Sequence, residues 1–286
     1  MKKFCVQVLA FSLAAILLLL ACEAYYFYSG WYQEKVNGTE VYYALRNSKK
    51  KYAKVKRLIL GDSVAMQLYP CTGEYDDAVS LTCNAAITVA GFYFLMNNYL
   101  KNNPNDCPDE IVFLVSPWTL KNNMNSVLAF HYFLKPFYTK EYKNDYTPNL
   151  YKTIHNNPYY WLSQVPFVRS SSYCVNYKVQ EPTWSWIAPI VSDYIQKADS
   201  VCGEYGVNFR MIPSPVRADR KQELESTMAA SLQSFESPIL NMPIMQQYMQ
   251  YINYADTCFF RDNIHFQPNN IPQNYLDQFD TDGVGF

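Results

Sequence analysis

The sequence predicts an α/β domain with a parallel central sheet, preceded by one N-terminal transmembrane helix. Short apolar runs alternate along the chain with segments whose apolar residues recur at helical spacing. This alternation is typical of parallel strands joined by crossover helices. A second observation is the uncharged segment Phe4–Cys22 at the N-terminus. Hydrophobic residues make up 49% of the 286 positions, so the chain can bury a sizeable core.

The uncharged segment predicts a membrane anchor within residues 1–24. As a helix, its nineteen residues reach about 28 Å, close to the roughly 30 Å hydrocarbon core of a bilayer. The apolar part of a cleaved signal peptide is usually shorter, about 7–15 residues, so we expect an uncleaved signal anchor. Lys2 and Lys3 place the N-terminus in the cytoplasm and the domain on the extracytoplasmic side, periplasmic or extracellular. In the alternative interpretation, Leu19–Cys22 is a lipobox and the protein is a lipoprotein lipidated at Cys22.

The rest of the chain divides into a stalk and a domain. Residues 25–53 are largely polar, with a run of lysines near their end, which predicts a stalk or an exposed helix, and residues 54–286 form the predicted domain. Four apolar runs predict its strands: Val55–Leu60, Ala78–Cys83, Ile111–Val115 and Val207–Ile212. Three segments with apolar residues at helical spacing predict its helices: Gly91–Leu100, Trp186–Val201 and Lys221–Phe235.

Residues 118–184 interrupt the alternation and predict an insertion with short helices of its own. The segment is long and rich in Tyr, Asn and Pro, without a clean period. Its aromatic faces can line a groove in which sugar rings stack. The alternative interpretation is a cap that packs on the domain.

The charge balance excludes a general nucleic-acid binder. The chain has 24 Lys and Arg against 25 Asp and Glu, a formal net charge of −1. A protein with this balance has no global basic field to hold a phosphate backbone. We therefore expect no nucleic-acid partner.

The cysteine content is consistent with export. Six cysteines follow the anchor: Cys71, Cys83, Cys107, Cys174, Cys202 and Cys258. In an oxidising compartment they permit up to three disulfides, whose pairing the sequence leaves open. Each of them can instead be a buried free thiol. Their spacings do not fit a zinc site, so we expect no metal and no cofactor.

The motif Gly61-Asp62-Ser63 directly follows the first predicted strand. In an open α/β sheet, ligands bind outside the carboxyl ends of the strands, where this serine would be exposed. If a helix begins here, the Ser63 N–H also points into the site. The alternative is an ordinary turn in which Ser63 is the N-cap of a helix.

The second motif, Asp262-Asn263-Ile264-His265, lies near the C-terminus. A serine hydroxyl becomes a good nucleophile when a base removes its proton, and histidine suits that role near neutral pH. A carboxylate on the other ring nitrogen fixes the tautomer of the histidine, and Asp262 can fold back onto the ring. The alternative is that His265 has no role; the other histidines of the chain are His131 and His155.

A Gly-Asp-Ser after the first strand and an Asp-x-x-His about 200 residues later resemble the SGNH (GDSL-like) hydrolase family over residues 54–266. The resemblance implies a flavodoxin-like three-layer α/β/α fold. It also implies that Ser63 is the nucleophile, His265 its base and Asp262 the partner of the base. The second motif of the family is similar to Asn84 and Gly91, where the Gly91 N–H would be an oxyanion donor. The third family motif, Gly-x-Asn-Asp, is missing: Ser116-Pro117-Trp118-Thr119 stands there, and the nearest amides are Asn122 and Asn123.

An anchor followed by such a domain resembles the membrane-tethered SGNH proteins of bacterial polysaccharide O-acetylation. The resemblance implies an extracytoplasmic serine esterase or O-acyltransferase that acts on acyl groups, above all acetyl groups, of an exported glycan. It also implies a multispanning acyltransferase as a possible partner. The alternative function is a catalytically inactive SGNH-fold module that binds glycan or scaffolds a membrane partner. The retained Ser63, Asp262 and His265 favour the enzyme, whereas the missing third motif favours the inactive module.

Overall fold

The computed structural model describes residues 2–29, 39–124, 128–156, 160, 185–273 and 275–279. Much of the predicted insertion, with Cys174, therefore lies outside the described residues. The described chain is a mixed α/β structure with a parallel central sheet and one N-terminal apolar helix.

The N-terminal helix α1 spans Lys2–Tyr28. The most apolar 18-residue window within Lys2–Tyr25 has a mean hydropathy of 2.6 and is not buried against the rest of the chain. By length and composition it can cross a membrane, as the sequence predicts. The side of the membrane on which the domain lies, and whether the anchor is cleaved, stay predictions.

The central sheet contains four parallel strands in the order β2-β1-β3-β4. Their bounds are Arg57–Gly61 for β1, Ala78–Ser80 for β2, Glu110–Val115 for β3 and Asn208–Pro213 for β4. A second, two-stranded parallel sheet pairs β5, Val216–Arg217, with β6, Tyr254–Ala255. The predicted parallel sheet is confirmed, and each of its four predicted strands overlaps an observed one.

Within the described residues, seven further helices surround the sheets. They are α2 Thr39–Ser48, α3 Ser63–Leu68, α4 Thr88–Asn102, α5 Pro148–Asn156, α6 Pro189–Tyr205, α7 Lys221–Leu232 and α8 Pro243–Gln250. Shorter helical pieces are Ala85–Ile87, Thr119–Lys121, Phe130–Leu134, Lys135–Phe137, Lys143–Asp145, Ala218–Arg220, Ser237–Leu240, Thr257–Phe259, Pro268–Asn270 and Tyr275–Phe279. The three predicted helices correspond to α4, α6 and α7. Helix α6 begins at its proline and ends before Gly206, whose positive φ of 66° suits a residue without a side chain.

The sheet is covered on both faces because successive side chains of a strand point to opposite sides. On one face, Leu58, Leu60 and Phe113 pack into the main core with α2, α4, α6 and α8. On the other face, Val112 and Leu114 pack with α3 and the segment Tyr275–Phe279 in a smaller core. Every residue of β3 is buried, as expected of a central strand.

The predicted stalk over residues 25–53 is wrong for its second half. Helix α2 lies within this segment and packs on the domain, with Val41 and Ala44 fully buried. Asn98 donates to Ser48 Oγ at 3.2 Å, and the Tyr52 N–H donates to Asn103 Oδ1 at 2.7 Å. The apolar residues of α2 are few and lie between polar ones. The sequence alone therefore does not show that they form one face, which packs against α4.

The described part of the predicted insertion packs on the domain. Phe133, Phe137, Tyr142 and Leu150 are buried in the main core. For these residues, the observed packing agrees with the interpretation of the insertion as a cap on the domain. Residues 125–127, 157–159 and 161–184 lie outside the described part.

The described cysteines are free thiols. Cys83 and Cys202 are fully buried in the main core, where Cys202 Sγ lies 3.7 Å from Met96 Sδ. Burial raises the pKa of the Cys202 thiol to about 12. The disulfides that the cysteine count permits are therefore not found among the described residues, and Cys174 lies outside them.

A buried ion network joins the amino-terminal ends of three strands. Glu110 of β3 accepts from Arg57 Nε of β1 at 3.2 Å and from Arg210 Nη1 of β4 at 2.9 Å. Asn208 Nδ2 donates to the same carboxylate at 3.3 Å, and Arg210 Nη2 donates to the carbonyl of Phe279 at 3.2 Å. The side chains of Arg57 and Glu110 are only 8% and 12% exposed. The network lies at the opposite edge of the sheet from the Gly-Asp-Ser motif.

Candidate active site

The turn between β1 and α3 places Ser63 at the carboxyl edge of the sheet. Gly61 ends β1 so close to β3 that a Cβ there would lie 2.0 Å from the carbonyl oxygen of Leu114, which only glycine avoids. Asp62, rather than Ser63, is the N-cap of α3. Ser63 is therefore the first helical residue, where the backbone N–H has no partner within the helix. Its side chain is half-buried at the site edge.

The carboxylate of Asp62 holds this turn in place. Its Oδ1 accepts from the N–H groups of Val64 and Ala65 at 3.0 and 3.3 Å. Its Oδ2 accepts from the Ser116 N–H at 2.7 Å and from Thr119 Oγ1 at 2.5 Å. Asp62 is 1% exposed. The Ser116–Thr119 loop thus fixes the turn that carries Ser63.

The structure brings the three predicted catalytic residues together. Ser63 Oγ and His265 Nε2 are 2.8 Å apart, although 202 positions separate the two residues in the sequence. His265 Nδ1 lies 2.9 Å from Asp262 Oδ2 and 3.2 Å from Oδ1. When Nδ1 carries the proton and donates it to Asp262, Nε2 is free to accept from the serine hydroxyl. This is the hydrogen-bonded order that a serine nucleophile needs.

Asp262 is built to stay ionised. Its Oδ1 accepts the backbone N–H groups of Ile264 and His265, both at 2.8 Å. Partial desolvation acts to raise the pKa of this carboxyl, but the two backbone donors and the imidazole favour the charged form more strongly. Together they lower the pKa of Asp262 to about 2. The partner of the histidine is therefore an anion at all ordinary pH values.

Gln67 clamps the histidine loop to the serine helix. Its Nε2 donates to the carbonyl of Phe266 at 3.1 Å, and its Oε1 accepts from the Phe266 N–H at 3.0 Å. Phe266 stacks on Phe260, and both rings pack against Val64 of α3. Because Gln67 lies one helical turn after Ser63 on the same face, it sets the position of His265 relative to the nucleophile. Sequence reasoning missed Gln67; the i, i+4 spacing from Ser63 is the signal that could have found it.

Arg217 supports the other side of the same loop. Its Nη1 donates to the carbonyl of Asp262 at 3.0 Å and to Asn263 Oδ1 at 3.3 Å. Asp219 holds the guanidinium in this position, with Arg217 Nε donating to Oδ1 at 3.0 Å. The sequence contains no local signal for this contact, because 45 positions separate Arg217 from Asp262.

Asn84 lies at the same edge of the sheet as Ser63. The Cys83 N–H donates to the carbonyl of Gly61 at 2.9 Å, so Asn84 follows directly beside the Asp62–Ser63 turn. Its Oδ1 accepts from the Ala86 N–H at 2.9 Å and caps the short helix Ala85–Ile87. With the oxygen occupied, the Nδ2 donor of Asn84 is the end available to a substrate. Its substrate-binding role stays a prediction.

The predicted role of Gly91 as an oxyanion donor is not supported. Gly91 is buried inside α4, where the side chain of Ile87 covers it. A Cβ at this position would lie 2.6 Å from Ile87 Cβ, so close packing accounts for the glycine. No hydrogen bond in the described part of the chain links Gly91 to Ser63.

The side-chain amides of Asn122 and Asn123, which follow the Ser116–Thr119 loop, bond to neighbouring segments of the protein. Asn122 Nδ2 donates to the carbonyl of Ala85 at 2.7 Å, and its Oδ1 accepts from the Met124 N–H at 3.1 Å. Asn123 Nδ2 lies 3.5 Å from Thr153 Oγ1. Both side chains thus connect segments of the protein. Among the described residues, no group of three or more His, Cys, Asp and Glu could hold a metal ion.

Comparison with known proteins adds little to this geometry. No protein-family model matches the chain, and no curated protein matches it. A solved structure from Streptococcus pneumonia, described provisionally as a platelet activating factor, is 11% identical, with a TM-score of 0.37. The match covers 90% of this chain and 97% of that one. A similarity at this level does not establish a shared fold.

Replacing Gln67 by Met tests the clamp. We expect kcat on a small acetyl ester to fall by up to about 10²-fold, because a misplacement of about 1 Å can cost that much. KM should stay nearly unchanged, since Gln67 does not face the substrate. Steady-state kinetics and a melting curve of the full chain in detergent measure both effects. Gln67→Glu keeps the acceptor for the Phe266 N–H, so its kcat should lie between the values of Gln67→Met and the wild type.

The clamp has a matched control in Gln246→Met on α8, outside the Ser63 site. This variant should keep the wild-type kcat. Equal kcat values for Gln67→Met and the wild type would remove Gln67 from the positioning of His265.

Proposed function

We propose that this protein is a serine-dependent esterase or O-acyltransferase with an SGNH-type fold. The observation that carries the proposal is the continuous hydrogen-bonded series from Ser63 through His265 to Asp262. A serine hydroxyl, an imidazole and an ionised carboxylate in this order are the groups that acyl transfer requires.

The chemistry follows from this order. His265 Nε2 takes the proton of the Ser63 hydroxyl as Oγ attacks the carbonyl carbon of an ester, and the carbonyl oxygen becomes an oxyanion. Collapse of this intermediate breaks the ester C–O bond, and His265 gives its proton to the departing alcohol. Water or a sugar hydroxyl then attacks the acyl-Ser63, with His265 again accepting a proton. Collapse of this second intermediate breaks the bond between the acyl carbon and Oγ, and His265 returns the proton to Ser63. Water completes hydrolysis, and a sugar hydroxyl completes transfer.

The oxyanion has two candidate donors at this edge of the sheet. The Ser63 N–H lies at the first position of α3, and Asn84 keeps its Nδ2 free of the cap that its oxygen makes. The third-motif asparagine of the family is missing, and Ser116 and Thr119 direct their donors at Asp62 instead. Since one lost oxyanion donor can cost about 10²–10³ in rate, we expect slow turnover.

The strand order supports the proposed fold. The order β2-β1-β3-β4 is the one with which flavodoxin-like sheets begin, and Ser63 follows β1 at the carboxyl edge. In such sheets the ligand binds in the crevice outside the carboxyl ends of the strands.

The apolar helix α1 supports the proposed location and substrate. A domain tethered by one helix that can cross a membrane meets exported material at the membrane surface. We propose that the substrate is an acylated, above all acetylated, exported glycan. A multispanning acyltransferase in the same membrane would be the source of acyl groups in the transferase version of this proposal.

A second candidate function is an inactive SGNH-type module that binds glycan or scaffolds a membrane partner. The observation that favours it is the loop Ser116–Thr119, which supplies no asparagine to the site. The two candidates differ in whether the Ser63 hydroxyl is nucleophilic.

A fluorophosphonate probe separates the two candidates. We expect the full chain in detergent to be labelled covalently at Ser63, because His265 makes its hydroxyl a nucleophile. Ser63→Ala should give no labelling, and Ser226→Ala, which removes an exposed serine of α7, should be labelled like the wild type. Equal labelling of Ser63→Ala and the wild type, or no labelling of either, would favour the inactive module.

A further inference from the structure

A cavity of about 520 Å³ lies in the predicted insertion, and none of its lining residues belongs to the Ser63 site. This volume falls in the range of about 300–1,000 Å³ that is typical of small-molecule sites. Four tyrosines supply most of its wall: Tyr138, Tyr146, Tyr151 and Tyr160. Lys140 and Lys143 also line it, and none of the lining residues is acidic.

The tyrosine rings hold one another in position. Tyr138 and Tyr146 stack with centroids 5.9 Å apart and an interplanar angle of 20°. Tyr160 meets Tyr138 edge to face at 6.0 Å. His155 stacks on Tyr151 at 3.9 Å and contacts Tyr160 at 4.4 Å. The wall is therefore a pre-arranged set of aromatic faces.

A polar group of the cavity wall, the Tyr146 hydroxyl, is also held in place. The Tyr146 hydroxyl donates to the carbonyl of Phe137 at 2.8 Å and accepts from the Thr139 N–H at 3.0 Å. Tyr151 is 52% exposed, so part of its ring is accessible to a ligand. Tyrosine presents an apolar face and a polar edge, a combination that suits a ligand with both kinds of surface.

The charged side chains that line the cavity are positive. Lys140 and Lys143 are exposed, and neither forms an ion pair with a carboxylate in the described part of the chain. The neighbouring acidic side chains are Glu141, which is paired with Lys49, and Asp145, which lies near Lys101 and Lys197. Two ammonium groups beside stacked aromatic faces attract a ligand that carries negative charge and apolar C–H faces together.

We propose that this cavity binds an anionic polysaccharide. Sugar rings place their C–H faces on the tyrosines, and their hydroxyls meet the tyrosine hydroxyls. The carboxylates or phosphates of the polymer pair with Lys140 and Lys143. Binding here does not depend on Ser63; only the view of this polymer as the substrate rests on the proposed function. In that case the cavity holds the polysaccharide, and the Ser63 site modifies one of its repeat units.

Binding is tested by calorimetry on the full chain in detergent. The probes are polygalacturonate for carboxylates, a poly(glycerol phosphate) for phosphates, and neutral dextran. We expect one or both anionic polymers to bind at least tenfold more tightly than dextran. Tyr151→Ala and the double variant Lys140→Gln with Lys143→Gln should each weaken this binding at least tenfold. Lys152→Gln, an exposed neighbour on α5 that does not line the cavity, should bind like the wild type.

The outcomes separate this proposal from the esterase. Failure of both anionic polymers to bind, or unchanged binding by Tyr151→Ala and the double lysine variant, would overturn the cavity site. Equal binding of dextran would overturn the role of the lysines. Ser63→Ala should bind polymer like the wild type, and Tyr151→Ala should keep fluorophosphonate labelling. A protein that binds polymer without labelling would thus retain the cavity site and lose the esterase.

Discussion

If the proposed esterase function holds, replacing Asp262 by Asn should lower turnover of p-nitrophenyl acetate by about 10⁴-fold, the loss expected when the carboxylate partner of a catalytic histidine becomes an amide. The amide offers an N–H to His265 Nδ1, so the ring keeps its proton on Nε2. With that proton in place, Nε2 no longer accepts from Ser63 Oγ, which lies 2.8 Å away. Steady-state kinetics of the full chain in detergent measure the loss.

The fold should survive this change. The oxygen of the introduced amide can still accept the N–H groups of Ile264 and His265, which shape the loop. Asp256→Asn is the matched control, because Asp256 caps the neighbouring helix Thr257–Phe259 and does not contact His265. We expect Asp256→Asn to keep the wild-type rate. Unchanged turnover in Asp262→Asn, with an unchanged circular dichroism spectrum, would remove Asp262 from the mechanism.

The low pKa of Asp262 adds an expectation about pH. Since its pKa is about 2, the carboxylate stays charged between pH 4 and pH 8 and does not titrate in that interval. A loss of wild-type activity on the acid side of this range therefore reports a group other than Asp262.

Replacing Glu110 by Gln should lower the free energy of unfolding by about 3–5 kcal/mol, because it removes the buried negative charge that both Arg57 and Arg210 approach. These two guanidiniums approach the carboxylate at 3.2 and 2.9 Å, and their side chains are only 8% and 13% exposed. Water cannot replace the lost charge at such a site. Chemical denaturation of the full chain in detergent, followed by tryptophan fluorescence, measures the change.

The neighbouring residue supplies the control. Asp109 pairs with Lys54 at 2.7 Å, but both side chains are 60% exposed. Because exposed ion pairs contribute about 0–1 kcal/mol, Asp109→Asn should cost at most about 1 kcal/mol. Equal stability losses for the two variants would contradict the view of Glu110 as the buried centre of the network.

The predictable part of the fold comes from local signals. Ile111–Val115 is apolar almost throughout, and the apolar stripe of Gly91–Leu100 recurs at helical spacing, so both elements are visible within a few residues. Helix α2 was predicted as stalk, since Val41 and Ala44 become an apolar face only against α4. A short amphipathic helix among polar residues carries too few apolar positions to show which partner it packs on.

The candidate site divides in the same way. Ser63, His265 and Asp262 were predicted because they stand in two short motifs in a recognisable order, and because His265 is one of three histidines. Gln67 and Arg217 were missed, although they hold the loop that carries the histidine. Their role depends on contacts with backbone groups of distant segments, and such contacts put no constraint on neighbouring sequence. Gly91 is explained by close packing against Ile87, and its role as an oxyanion donor stays a prediction.

By itself, the amino-acid sequence determined the N-terminal apolar helix, the parallel strands and the candidate residues of the site, because each depends on short-range periodicity or on side-chain chemistry. Tertiary structure alone decided that Ser63 and His265 meet at 2.8 Å, that Asp62 rather than Ser63 caps α3, and that four tyrosines enclose a cavity beside two lysines. These features depend on how the sheet and its covering helices pack. Packing joins residues far apart in the chain, and no local pattern records it.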